Sequence, residues 1–149
     1  MSIFSIATSG LSAASLRVNV AASNIANVRT TGPLPGSDGA TTPAATGSSS
    51  IAPTFPAAYV PLRVDQVDQS SGSTPGGTIA TVSTVAPSYT PQSDPSAPFA
   101  NGDGLVAAPN VDVASEFVQL AAAKYSFIAN AKVIQAYAET EKSLLDVTA

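Results

Sequence analysis

The fold is decided by residues 4–28, which read FSIATSGLSAASLRVNVAASNIANV. Apolar residues recur in this segment at alternating intervals of three and four, which is the heptad spacing of a helix packed along a partner helix. The first heptad position is bulky and the fourth is mostly alanine; the members are Phe4, Ala7, Leu11, Ala14, Val18, Ala21, Ile25 and Val28. This seam predicts a long helix that a partner helix can approach closely.

A second apolar stripe runs along another side of the same helix. Its members are Ile3, Ile6, Ala13, Leu16 and Val20. One stripe is explained by one partner, so two stripes indicate neighbours on more than one side. The serines, asparagines and β-branched residues of the segment have only modest helix propensity, and we therefore expect packing to stabilise the helix. The Gly32–Pro33 pair predicts its end.

A second long helix is predicted at the other end of the chain, because residues 110–149 contain neither glycine nor proline. Asn110 or Asp112 can cap its start, and Glu116 adds negative charge where the helix dipole favours it. Its apolar seam comprises Val113, Phe117, Leu120, Phe127, Ala131, Ile134, Ala138 and Leu145, and Lys124 and Glu141 interrupt it. We expect the two terminal helices to pair as a coiled coil.

The middle of the chain has a different composition, since all 12 prolines lie between Pro33 and Pro109. Alternating apolar and polar residues predict strands over residues 59–67 and 78–85, joined as a hairpin through a Gly/Pro-rich turn. Residues 87–109 read as turns. The predicted fold is mainly α with a small β insert, divided into an N-terminal helix (1–31), a low-complexity loop (32–58), a β-hairpin and turn-rich insert (59–109) and a C-terminal helix (110–149).

Composition excludes several classes of function. Only 11% of residues are charged and the net charge is −4, with six scattered lysines and arginines, which argues against nucleic-acid binding. The chain has no cysteine and no histidine, and its aspartates lack the spacing of a metal loop. We therefore predict no enzyme activity, no cofactor and no metal site. Low charge with a positive mean hydropathy indicates a subunit that covers its surface by association.

The terminal segments carry motifs that resemble the axial proteins of the bacterial flagellum, and within that group the proximal-rod proteins of the FlgC type. The most specific motif is the Ala-Ser-Asn-Ile-Ala-Asn run at residues 22–27, followed by a Thr/Gly break. The Pro-Asn-Val-Asp run at residues 109–112 is the matching C-terminal signature. The chain departs from the family at Phe127, where tyrosine is usual, and at Ala97–Pro98, where His-Pro is usual.

This resemblance implies a structural subunit of the proximal rod in the flagellar basal body. Such subunits assemble through their terminal helices, with copies of themselves and with other rod proteins, into a hollow helical shaft that transmits torque. It also implies export by the flagellar type III apparatus without a cleaved signal peptide, and a location in the rod as it crosses the periplasm. Neither nucleic acid nor membrane insertion is expected.

The polar residues of the family motifs are Asn24, Asn27, Asn110, Asp112, Glu116 and Asn130. We expect Asn24 and Asn27 to make hydrogen bonds between subunits, and Asn110 to cap a helix. Two other readings stay open: another rod or hook subunit, and an amphipathic protein of the membrane surface. A distal-rod or hook subunit would need a larger insert, and only Arg17 and Arg29 of the first helix could meet anionic lipid.

Overall fold

The computed structural model describes residues 3–36, 55–69 and 76–148. Two helices lie at the ends of the chain and four short strands lie between them; the elements are α1 (Ile3–Asn27), β1 (Leu62–Asp68), β2 (Thr78–Thr84), β3 (Tyr89–Ser93), β4 (Leu105–Pro109) and α2 (Val113–Thr148). The strands form two separate two-stranded sheets. The prediction of a mainly α chain with a small β insert is confirmed. Most of the predicted low-complexity loop, and most of the hairpin turn, fall outside the described residues.

The ends of both helices follow from local sequence. α1 ends at Asn27, whose carbonyl accepts a hydrogen bond from Thr30 N at 3.0 Å, shortly before Gly32. α2 has 36 residues, which makes it about 54 Å long at 1.5 Å per residue. Asp112 directly precedes it. The side-chain amide of Asn110 instead donates to Pro87 O at 2.9 Å, so Asn110 ties down a preceding loop.

The described residues form two compact units, each assembled from separate parts of the chain. The first unit contains residues 3–23, 62–69, 76–83 and 113–148, which are most of α1, the β1–β2 hairpin and α2. The second unit contains residues 24–36, 55–61 and 84–112, which include the last turn of α1 and the β3–β4 pair.

In the first unit, α1 and α2 run antiparallel where they touch. Arg17 donates to Gln119 Oε1, and an added Cβ on Gly10 would lie 2.7 Å from both the Nδ2 and the Oδ1 of Asn130. Residue numbers therefore rise along α1 as they fall along α2. The buried side chains are small; they are Ala7, Ala13, Ala14, Val20 and Ala21 on α1 and Ala123 on α2.

The β1–β2 hairpin belongs to the same unit and matches the predicted strand pair. Gln69 N donates to Gly77 O at 2.8 Å, and Thr78 Oγ1 donates to Val67 O at 3.2 Å. Within β1, Arg63 Nε lies 3.3 Å from Asp65 Oδ2 in an exposed ion pair, which contributes little to stability.

The second unit is centred on β4, which the sequence analysis read as part of a run of turns. β3 and β4 pair antiparallel with Tyr89 opposite Pro109 and Ser93 opposite Leu105. Gly32 adds to the other edge of β4 through two backbone hydrogen bonds with Ala107, of 3.0 and 2.9 Å. β4 is thus paired on both sides and its residues Val106–Ala108 are buried, although its sequence is too short and too rich in alanine to signal a strand.

Candidate assembly surface

Large apolar side chains lie exposed along α2. Tyr125 exposes 72% of its surface and Phe117 exposes 57%. The others on this helix are Val118, Phe127, Ile128, Val133, Leu144, Leu145 and Val147. Single exposed apolar residues are ordinary, but a contiguous exposed row of them marks an interaction surface.

The exposed residues of α2 include a continuous row. Phe117, Ala121, Tyr125 and Ile128 follow one another at intervals of four, four and three, so they lie on one side of the helix, with Val118 beside them. We call these five residues the outer stripe of α2. By helical rotation the stripe lies roughly opposite the fully buried Ala123. α2 therefore has one apolar side covered by its own chain and another left open.

The predicted seam of α1 divides by size. Its alanines Ala7, Ala14 and Ala21 are buried, whereas Phe4 exposes 52% of its surface. The other bulky members are half-buried; they are Leu11, Val18, Ile25 and Val28. The small members of the seam thus pack within the chain, and the bulky members leave apolar surface exposed that another subunit could contact.

The predicted apolar seam of α2 is less buried than that of α1. Val113, Leu120 and Ile134 are half-buried, and Phe117 and Phe127 are exposed. The fully buried residue of this helix is Ala123, which the sequence analysis did not select because it favoured the bulky residues nearby. The signal that could have found it is its spacing of three from Leu120 and seven from Asn130.

Two family-motif asparagines make contacts within the second unit. Asn24 is fully buried, and its Oδ1 accepts a hydrogen bond of 3.0 Å from the hydroxyl of Tyr59. Asn27 Oδ1 accepts a hydrogen bond of 3.3 Å from Thr30 Oγ1. Asn24 in particular anchors residues of its own chain against the end of α1.

The other family-motif residues are spread over both units. Asn130 lies against Gly10, and its Nδ2 donates to Ser126 O at 2.9 Å within α2. Asp112 is exposed directly before α2, and Glu116 is half-buried in its first turn, where the helix dipole favours a carboxylate. Glu116 and Asn130 belong to the first unit, and Asn110 and Asp112 belong to the second unit.

In residues 3–36, 55–69 and 76–148, no group of three or more His, Cys, Asp or Glu side chains could hold a metal ion. Within the same ranges, neither helix combines the length and the apolarity that crossing a membrane requires. A hydrogen bond to Glu141 raises the pKa of the half-buried Tyr137 above its ordinary value, and the negative charge of Glu141 adds to the effect.

Two family models match the two ends of the chain. Residues 4–33 match the model described as flagella basal body rod protein. Residues 103–147 match the model described as flagellar basal body rod FlgEFG protein C-terminal. The matched segments contain most of α1, β4 and nearly all of α2.

Curated relatives match over almost the whole chain. The flagellar basal-body rod protein FlgC of Salmonella typhimurium is 37% identical over 148 residues, which cover 97% of this chain and 92% of the relative. FlgC of Escherichia coli O6:H1 is 36% identical over the same shares of the two chains. FlgC of Agrobacterium fabrum is 29% identical over 95% of this chain and 90% of the relative.

Proposed function

We propose that this chain, which belongs to the FlgC family of flagellar basal-body rod proteins, builds the rod by packing its terminal helices against those of neighbouring subunits. The chain is a structural subunit of the basal-body rod and not an enzyme. We also propose which surfaces of the chain join it to neighbouring subunits and what kind of shaft these contacts form.

Pairing of α1 and α2 as a coiled coil is the first step of this proposal. The contact of Gly10 with Asn130 and the hydrogen bond from Arg17 to Gln119 support it, because both join the two helices in one antiparallel sense. The buried alanines of α1 support it too, since small side chains allow the close approach that such a pair needs.

The outer stripe of α2 is the surface that we assign to contacts between subunits, and its exposure is the observation that carries the proposal. The bulky, half-exposed members of the α1 seam extend the apolar surface available for assembly. A contact between two different surfaces of identical subunits forms a closed ring when its rotation closes and a helical array when it does not, and we infer the helical array. Many such contacts, rather than one strong site, suit a hollow shaft that transmits torque.

The remaining features of the proposal come from the family resemblance. We infer copies of this chain and other rod proteins as partners, and a place in the proximal part of the rod where it crosses the periplasm. We also infer delivery by the flagellar type III export apparatus without cleavage of a signal peptide.

Restoration of motility in cells that lack the chain tests the role of the outer stripe. Tyr125→Glu places a charge in the middle of the stripe, so we expect loss of swimming and of assembled rods at normal protein levels. Lys142→Gln is the matched control, because it makes the same change in net charge at an exposed polar position of the same helix. Full motility of Tyr125→Glu would refute the assigned surface.

A further inference from the structure

The loop between β3 and β4 contains an Asn-Gly pair, Asn101–Gly102. The chain has six asparagines, and glycine follows none of the other five. The pair matters chemically because glycine has no Cβ, so its backbone nitrogen can approach the side-chain carbonyl carbon of the preceding asparagine without a clash. Gly102 is exposed, and an added Cβ there would meet nothing within 4 Å.

The backbone nitrogen of Gly102 makes no hydrogen bond within the part of the chain that the structure describes. The nitrogen that follows each of the other asparagines is bonded. Val111 N, which follows Asn110, donates to Pro109 O at 2.9 Å. The other four asparagines lie in helices, where the next N–H is bonded to a helical carbonyl; they are Asn19, Asn24, Asn27 and Asn130.

The side-chain oxygen of Asn101 is held by two backbone donors. Leu105 N donates to Asn101 Oδ1 at 2.8 Å, and Asp103 N donates to it at 3.0 Å. Attack on Cγ of this side chain moves negative charge onto Oδ1, and fixed N–H groups at such distances stabilise a developing oxyanion. The loop thus combines an unbonded attacking nitrogen with a polarised carbonyl.

We propose that Asn101 is a site of cyclisation and deamidation in the folded chain. Gly102 N loses its proton to hydroxide and forms a bond to Asn101 Cγ. The bond from Cγ to Nδ2 breaks, and Nδ2 takes a proton from water and leaves as ammonia, which regenerates the hydroxide. Water then opens the cyclic succinimide. Opening at Cγ gives aspartate, and opening at the backbone carbonyl carbon gives isoaspartate.

Isoaspartate changes the loop that leads into β4. Asn101 N donates to Leu105 O at 3.0 Å, and Gly104 N donates to Asn101 O at 2.9 Å. The isoaspartyl main chain is longer by a methylene group, and the former backbone carbonyl becomes a carboxylate beside Asp103. We therefore expect the product to lose this hydrogen-bonded turn. The inference concerns the second unit and does not rest on the proposed function.

Peptide mapping by mass spectrometry tests the site. The purified full chain is incubated at mildly alkaline pH, folded in buffer and unfolded in guanidinium chloride. We expect Asn101 to lose its amide in the folded chain at least as fast as in the unfolded chain, with isoaspartate among the products, while Asn110 stays intact. Slower loss in the folded chain would overturn the proposal, and so would equal loss at Asn110.

Two variants separate the chemistry of the pair from its place in the fold. Gly102→Ala keeps the loop, because its Cβ meets nothing, but the methyl group crowds the attacking nitrogen. We expect loss of the amide to slow about tenfold, which corresponds to about 1.4 kcal/mol in activation free energy. An unchanged rate would contradict attack by this nitrogen.

Ala131→Gly is the matched control, since it places glycine after Asn130 inside α2, where the following N–H is bonded within the helix. Circular dichroism checks that both variants are folded. We expect Asn130 of the folded variant to keep its amide while Asn101 of the same protein loses it. Equal loss at the two asparagines would overturn the role assigned to the loop.

Discussion

The hydroxyl of Tyr59 donates a hydrogen bond of 3.0 Å to the Oδ1 of Asn24, which is fully buried in the last turn of α1. Tyr59 N also donates to Thr30 O at 3.1 Å, so the segment around Tyr59 is held by both its side chain and its backbone. Asn24, which belongs to the Ala-Ser-Asn-Ile-Ala-Asn motif, thus holds Tyr59 of its own chain in place. Buried polar groups with satisfied partners fix one arrangement of the surrounding chain.

Tyr59→Phe removes the hydroxyl and keeps the ring. We expect the free energy of unfolding to fall by about 1 kcal/mol, because the hydrogen bond to a buried acceptor is lost. Urea denaturation followed by circular dichroism measures this. Tyr125→Phe is the control, since Tyr125 is largely exposed, and it should leave the midpoint unchanged. Equal midpoints for the two variants would show that the Asn24 contact contributes nothing to folding.

Gly32→Ala tests the packing of the second unit. An added Cβ would lie 2.2 Å from Ala58 N and 2.8 Å from Pro56 O, both backbone atoms that cannot turn away. We expect a loss of about 1–3 kcal/mol in the free energy of unfolding, the usual range for overpacking. Thermal unfolding compared with Gly102→Ala checks it, and a variant as stable as that control would contradict the close approach seen here.

Pairing of the terminal helices is tested by a double-mutant cycle. Gly10→Ala alone should destabilise the helix pair although alanine favours helix, because the new Cβ would lie 2.7 Å from the Asn130 side chain. Asn130→Ala should restore much of the loss in the double variant. Unfolding free energies of the four proteins give the coupling. Purely additive effects would mean that the two residues do not meet.

The pair formed by Tyr137 and Glu141 predicts a small pH effect. The hydrogen bond to Glu141 raises the pKa of Tyr137 in the folded chain, so its contribution to stability is complete below pH 10 and is lost as pH rises through the raised pKa. Absorbance titration at alkaline pH should show that Glu141→Gln returns one tyrosine toward its ordinary pKa. Identical titration curves would argue that the two side chains do not interact.

The helices and the first hairpin could be predicted because their signals are local. The heptad seam of α1 ends at Val28, shortly before Gly32–Pro33, and the period-two pattern marks β1 and β2. β4 could not be predicted in this way. Gly32 pairs with one edge of β4 and β3 pairs with the other. Pairing between segments distant in sequence produces no local pattern of apolar and polar residues in so short and alanine-rich a strand.

The residues of the candidate assembly surface were predictable only in part. Sequence reasoning selected bulky residues, and it found the exposed Phe117 and the half-buried Leu120 but missed Ala123, which is fully buried. It also assigned Asn24 to contacts between subunits, because a motif does not show which neighbour a side chain contacts. In the single chain Asn24 is buried and bonded to Tyr59, which lies 35 residues away in the sequence.

Electron microscopy of basal bodies isolated from cells that lack this chain tests the central claim most directly. We expect basal bodies without an assembled rod, and complete rods again when the unaltered chain is supplied. Complete rods in the cells that lack the chain would contradict it.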